Sequence, residues 1–280
     1  MNRRTFLQRA AWGIVGTYVG SFFQGTKFAM AQEKPLKLKI GIIGAMKSEV
    51  EDLLAAMRIK RRVKKAGMEF NEGTLGGREA VVVQSGMGKV NAGICAQLLI
   101  ESFSVTHIIN TGAAGSLNAK LNIGDIVVST DAAQHDFNVA AIGFRKGEIP
   151  YTGKVFFEAD GELRQRAMRA VHEALPEITA MEGRICTGDQ FINSQKEKER
   201  IVAEFSGTCT EMEGAAVAQV CCLNNIPFVI LRAISDKADN SDHMDFNKFE
   251  KKAAQNSSRL VRFMLEHWQE FHVPKHSNHA

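Results

Sequence analysis

Pro227-Phe228-Val229-Ile230-Leu231-Arg232-Ala233-Ile234-Ser235-Asp236 is the stretch that decides the fold class of this chain. Its apolar run is too short for a helix of ordinary length and too continuous for a half-exposed strand, so it predicts a central strand covered on both faces. Arg232 interrupts the run. An unpaired buried guanidinium costs several kcal/mol, so this one requires a carboxylate, a water or a ligand. In open α/β sheets, ligands gather beyond the carboxyl ends of strands, where Ser235 and Asp236 fall. Taken alone, the pair reads equally well as a turn that Asp236 caps with Ser235.

Working outward, strand-like and helix-like patterns alternate. Leu36 to Ile43 reads as a strand ended by Gly44, followed by a helix whose buried stripe is Met46, Val50, Leu53, Leu54 and Met57. Glu49 lies on that same side, one turn before Leu53, and is either a helix-dipole partner or a site group. Arg62 to Gly77 reads as one or two short strands turning at Gly76-Gly77, and Ala80 to Gln84 as a core strand. Ser85-Gly86-Met87-Gly88-Lys89 then forms a tight loop opening a helix from Val90 to about Ser102. Such a loop can present backbone N–H groups to an anion or a sugar, and a packing requirement at Gly86 and Gly88 explains it as well. His107 to Gly115 reads as a strand running into a small-residue loop, where backbone must approach something closely.

Gly124 to Ser129 is the next predicted strand. The loop after it, through His135, Asp136 and Pro150, carries Val139, Ile142, Phe144 and Ile149, an apolar set that suits a subunit interface better than solvent. His135-Asp136 reads as a structural imidazole–carboxylate pair. Residues 158 to 175 have the spacing of an amphipathic helix, and Gly183 to Thr187 that of a strand entering Gly188-Asp189-Gln190-Phe191-Ile192-Asn193. Glu211 and Glu213 precede a small apolar helix, Gly214 to Leu223, as possible partners of its N-terminal dipole. A last helix from about Phe246 to Glu270 buries Leu260, Val261, Met264 and Trp268.

The 280 residues are 45% hydrophobic and 24% charged, a globular balance that suits one large α/β domain. The formal charge of +4 comes from residues 1–31, which hold Arg3, Arg4, Arg9 and Lys27 and no acid. The remainder is neutral overall, which removes the electrostatic case for a nucleic-acid partner. Arg3-Arg4-Thr5-Phe6-Leu7, the uncharged run Ala10 to Phe23 and Ala29-Met30-Ala31 resemble a twin-arginine export signal ending in an Ala-x-Ala cleavage site. The alternative is an uncleaved anchor, but the apolar part is short for a bilayer span, so cleavage after Ala31 and a periplasmic location are expected. Residues 32–271 would then form the domain and 272–280 a frayed polar tail. Five cysteines without metal spacing read as small core residues, and neither a metal nor another cofactor is expected.

Several segments, taken together, resemble the 5′-methylthioadenosine/S-adenosylhomocysteine nucleosidases. They are Gly41 to Glu49, Ser85 to Val90, Ile109 to Gly115, Gly188 to Asn193, Glu211-Met212-Glu213 and Arg232 to Asp236, in that order from about residue 38 to 268. The resemblance implies an α/β fold of the nucleoside phosphorylase kind, a single domain with a twisted mixed central sheet surrounded by helices, working as a homodimer. It implies that Asp236, beside Ser235, gives a proton to adenine and that Glu49 activates water, with Ser85 and Arg232 beside it. Glu213 would hold the ribose hydroxyls with Met212 against the sugar, while Phe191 stacks on adenine and Ile192 reads its edge. Met46 and Phe246 would line the 5′-thio pocket, completed by Val139, Ile142 and Pro150 of the partner subunit.

The chain departs from that pattern at Lys47-Ser48-Glu49, where only the acid with a role is kept, and at Ile142, where an aromatic is frequent. Three other readings are weighed against the same residues. A phosphorylase would need arginines where Glu49 and Asn110 stand, and a carboxylate repels phosphate. A hydrolase of 6-amino-6-deoxyfutalosine would share the adenine and the ribose. A nucleoside-binding protein without turnover would have no need of Glu49, Glu213 and Asp236 together.

Overall fold

The computed structural model describes residues 37–238 and 242–271, for 242–248 the backbone alone; the expected leader and the tail at 272–280 lie outside the described residues. In chain order the elements are β1 (Lys39–Gly44), α1 (Lys47–Ala56), β2 (Arg58–Lys65), β3 (Met68–Leu75), β4 (Arg78–Gln84), α2 (Lys89–Phe103), β5 (His107–Ser116) and β6 (Ile126–Gln134). A short 3₁₀ turn at Ala140–Ile142 follows, then β7 (Phe157–Glu158), α3 (Gly161–Ala174), β8 (Ala180–Thr187), α4 (Gln195–Phe205), β9 (Cys209–Glu211), α5 (Gly214–Leu223), β10 (Phe228–Asp236) and α6 (Asp242–Glu266).

The strands form one mixed sheet in the order β10-β6-β8-β9-β5-β1-β4-β3-β2, with β7 added on β6. β10 pairs with both β6 and β5, so β5, β10, β6, β8 and β9 close on themselves while β1, β4, β3 and β2 extend as an open sheet. This is the α/β single-domain mixed sheet that the sequence predicts. All nine residues of β10 are buried, as a strand between two neighbours and two helical layers requires.

Alternate side chains of the open sheet feed two cores. Ile43, Val81 and Val83 pack with Ala92, Ala96 and Leu99 of α2 and Val217 of α5 on one face. Ile42, Ala80 and Val82 pack with Leu53 of α1, Val171 of α3 and Leu260 and Met264 of α6 on the other. The period of two along each strand sets this partition. Truncating a fully buried leucine such as Leu53 to alanine should cost about 2–5 kcal/mol.

The structure corrects several expectations. Thr111 to Gly115 is not a loop: β5 runs unbroken to Ser116, paired with β10 on one side and, at its end, with β9. The amphipathic helix begins at Gly161, where Asp160 Oδ1 accepts from Leu163 N–H at 2.8 Å, because Phe157–Glu158 is taken up as a strand beside β6. The last helix spans Asp242–Glu266, and Trp268 is buried from the turn that follows it. Four cysteines are buried and Cys222 is only half-buried. Asp136 pairs with Lys89 Nζ at 2.7 Å, not with the adjacent His135, whose ring nitrogens have no partner among the described residues.

Candidate active site

The site is built at the carboxyl ends of β1, β5, β9 and β10. Chain leaving β1 turns directly into α1, and Glu49 in its first turn reaches back towards the turn. Its Oε2 accepts from the N–H groups of Ala45 at 2.7 Å and Met46 at 2.9 Å, and its Oε1 from Ala113 N–H of β5 at 2.9 Å. Glu49 therefore fits both sequence readings, bonded to amides at the start of α1 and facing a cavity. Burial raises its carboxyl above the usual range, against the opposing pull of Arg232 and the three N–H donors.

The close approach expected of the small-residue stretch is to two acids. A Cβ on Gly112 would lie 2.5 Å from Glu49 Oε1, and one on Gly115 would lie 2.6 Å from Asp236 Oδ1. Both carboxylates occupy room that any other residue type would fill.

Asp236 ends β10 after an irregularity: Ile234 pairs with Ala114 and Asp236 with Gly115, leaving Ser235 as an extra residue. Such a bulge re-aims the side chains around it. Ser235 Oγ donates to Asp236 Oδ2 at 2.7 Å, and Ala238 N–H donates to Oδ1 at 3.0 Å. The turn-capping reading is thus also correct, and the same carboxyl faces the cavity.

Arg232, 1% exposed, finds partners for both terminal nitrogens, while its buried Nε has none among the described residues. Its Nη2 donates to Asn110 Oδ1 at 2.6 Å and to Glu211 Oε2, its Nη1 donates to Leu231 O at 3.2 Å, and Glu213 Oε2 stands 3.9 Å away. Glu211 is tied further. It accepts from Thr187 Oγ1, from Glu213 N–H at 3.1 Å and from Gly214 N–H at 2.7 Å, so it fixes the backbone from which Glu213 projects. Glu213 Oε1 accepts from Gly88 N–H at 2.8 Å. The Gly-containing loop before α2 does present an N–H to an anion, and that anion is a side chain of the protein.

Two acids now compete for one guanidinium. Glu211 holds Arg232 by direct contact. Glu213, buried and repelled by Glu211 and Glu49, has its carboxyl pushed up to about 8, with Arg232 and the Gly88 amide pulling the other way. Arg232 itself is held above the ordinary arginine value by Glu211, Glu213 and Glu49, despite the opposing effect of its own burial.

Glu49, Glu213 and Asp236 border one cavity, which encloses about 570 Å³ of atom-free space including its open mouth. That is in the range of small-molecule sites. Met46, Met212 and Ser235 border it too, as do Phe191, half-exposed, and Ile192, buried, from the loop between β8 and α4. Ser85 and Arg232 are not among the bordering residues: Ser85 Oγ donates to Gly86 O at 2.8 Å, and Arg232 lies behind Glu211. Val139, Ile142 and Pro150 do not border this cavity either, and Ile142 is 71% exposed on the 139–150 loop. Phe246 belongs to the α6 span, and its side chain lies outside the described residues. Sequence reasoning left Met87, Gln190 and Thr210, which border the cavity, without a role, and read Glu211 only as a helix-dipole partner, which it is, without its hold on Arg232. Each stands inside or beside a quoted motif, and that adjacency is the only signal for them.

A mixed sheet, partly closed and opening at its strand ends into an acid-lined pocket, defines an α/β protein with a small-molecule site. The chain belongs to the Phosphorylase superfamily, whose family model matches residues 39–266. A 5′-methylthioadenosine/S-adenosylhomocysteine nucleosidase of Shewanella denitrificans is 42% identical over 229 residues, 81% of this chain and 99% of that protein. The nucleosidase of that name from Neisseria meningitidis, solved in complex with methylthio-immucillin-A, aligns with a TM-score of 0.79 at 37% identity, over 81% of this chain and 98% of that one. The futalosine hydrolase of Helicobacter pylori aligns with a TM-score of 0.78 at 35% identity, over 82% and 97%.

Proposed function

We propose that this chain is a purine nucleosidase that hydrolyses the N-glycosidic bond of 5′-methylthioadenosine and S-adenosylhomocysteine, releasing adenine and the 5′-thioribose product. The observation that carries this reading is the convergence of Glu49, Glu213 and Asp236 on one cavity. The names of the similar proteins supply the substrate class.

The chemistry needs three things from three carboxyls. Asp236, held by Ser235 Oγ, gives a proton to the leaving adenine, which otherwise departs as an anion. Glu213 accepts hydrogen bonds from the ribose hydroxyls, and Glu49 takes the proton of the attacking water. A general base must be ionised, so turnover should fall as pH drops through the raised titration of Glu49. Arg232 acts from behind, through Glu211 and the charge that it presents to Glu213.

A hydrolase acting on 6-amino-6-deoxyfutalosine is the second reading, favoured by the likeness to the Helicobacter pylori futalosine hydrolase. The deciding assay incubates the protein with methylthioadenosine, S-adenosylhomocysteine, 6-amino-6-deoxyfutalosine and inosine in phosphate-free buffer and follows base release. Turnover that needed added phosphate and gave a ribose 1-phosphate would return the chain to the phosphorylases.

A homodimer in which the 139–150 loop of each subunit completes the other's 5′ pocket belongs to the same proposal. It is supported by the apolar surface of Ile142 with Met87, Val90 and Leu223, all more than 60% exposed. A monomer at working concentration with full activity would refute it. Export to the periplasm rests on residues 1–31 alone, and its test is fractionation of cells carrying the chain with and without Arg3→Lys and Arg4→Lys.

A further inference from the structure

β2 is the free edge of the open sheet, and six of its eight residues are basic: Arg58, Lys60, Arg61, Arg62, Lys64 and Lys65. All six are exposed. Their acids are few. Arg61 pairs with Glu72 at 2.5 Å and Arg62 with Glu69 at 3.8 Å, while Arg58, Lys60, Lys64 and Lys65 form no ion pair among the described residues, Lys65 Nζ donating to Ser102 Oγ at 3.0 Å. Lys37, just before β1, and Lys39, in it, lie three strands inward of β2 and are taken up by Glu79 and Glu72. Since residues 32–280 are neutral overall, these six cations leave the rest with six more acids than bases. The charge of the domain is segregated.

Charges on an edge strand discourage pairing with another chain, and these do so: a second copy laid against β2 would set like charges opposite one another. That does not explain the imbalance, because alternating lysines and glutamates would protect an edge as well. Base-reading is poorly served too. The strand has no aromatic side chain on which a base could stack, and its half-buried Ile59 and Val63 turn inward to the cores. The register breaks between Ile59 and Arg61, so Lys60 is an extra residue and the cations leave the strand to both sides of the edge. Long basic side chains fanned along about 26 Å of strand fit a broad, delocalised negative surface better than a discrete anion.

We propose that the β2 edge docks this protein on an anionic lipid bilayer, with the acidic remainder of the domain turned away. Each Lys or Arg near such a surface multiplies binding about fivefold, and the opposite excess elsewhere orients the molecule. Four strand spacings, about 19 Å, separate β2 from β5, so the cavity stays open while the edge is engaged.

The test is flotation of the full chain with vesicles of phosphatidylglycerol mixed into phosphatidylcholine and with phosphatidylcholine alone, beside the triple variant Lys60→Glu, Arg62→Glu, Lys64→Glu. The wild type should float with the anionic vesicles only and be released at about 1 M salt, where the screening length is about 3 Å. The variant should partition at least about 100-fold less while keeping its nucleosidase rate, which shows that it is folded. Residues 1–31 are the same in both proteins, so the difference reports on β2. Equal flotation of the two, no flotation with anionic vesicles, or retention on duplex DNA without vesicle binding would each overturn the proposal.

Discussion

Around the cavity, Glu49, Glu211, Glu213, Asp236 and Arg232 are withdrawn from water, and each has partners within hydrogen-bond reach. Along β2, six cations stand in water, and four of them have no ion pair among the described residues. The contrast teaches where a single charge matters. In the low dielectric of the site, losing one partner leaves another uncompensated, whereas on the edge each charge is screened and only the sum acts.

The largest effect that would break this contrast is at Asp236. Asp236→Asn should lower kcat for adenine release by 10²–10⁴-fold with the fold intact, the usual worth of a positioned proton donor. Next comes Gly112→Ala, which touches no charge. Its Cβ would meet the Glu49 carboxylate at 2.5 Å, and a displacement near 1 Å at a reacting group can cost about 100-fold, to be read in kcat with a fall in melting temperature. A Gly112→Ala enzyme of wild-type rate would mean that Glu49 has no need of its present place.

A subtler change sharpens the account of the paired acids. Burial does most to lift Glu213, and Glu211→Gln removes the larger of the two charges that add to it, so the pH at which riboside KM improves should move down from about 8, while inhibition by free adenine keeps its pH profile. Parallel movement of both profiles would show that Glu211 only holds the fold. Stability has a sign as well. The Glu213 carboxyl titrates near 4.5 in the unfolded chain and about 8 in the folded one, so the folded form retains a proton between those values that the unfolded form has lost. Stability contributed by that proton is present below pH 4.5 and drains away as pH rises to 8. Glu213→Gln should therefore melt roughly 2–8 °C above the wild type at pH 8 and level with it at pH 4.5. At the small end, Lys60→Gln on β2 should change unfolding free energy by no more than about 0.5 kcal/mol and leave kcat alone.

Much of this was legible in sequence because a period of two and a run of apolar residues state which segments are core. The β10 strand, the inward side of Glu49 and the core runs of β1 and β4 all follow from the spacing of apolar residues. What could not be read depends on distant partners. After Thr111, Gly112 to Gly115 lacks the branched side chains that mark a strand and is held extended by β10 and β9, elements that arrive some hundred residues later. Glu211 and Glu213 look alike on the page. Both border the cavity, and only the position of Arg232 across the closed part of the sheet, in direct contact with Glu211 and 3.9 Å from Glu213, makes the first a fastening. Within 139–150, Ile149 packs against the first core while Ile142 is 71% exposed, and an apolar pattern alone does not tell the two apart.

The extra residue at Ser235 has a consequence for how this protein can change over generations. Removing one residue from the end of β10 would restore regular pairing with β5 and swing the terminal carboxyl onto the opposite side of the sheet, whatever letter stood there. Spacing there matters to the site as much as chemistry does. Loss or gain of a residue should be lethal to activity at that end of the barrel, while the same edit in the already irregular β2 shifts only where a few lysines reach the solvent.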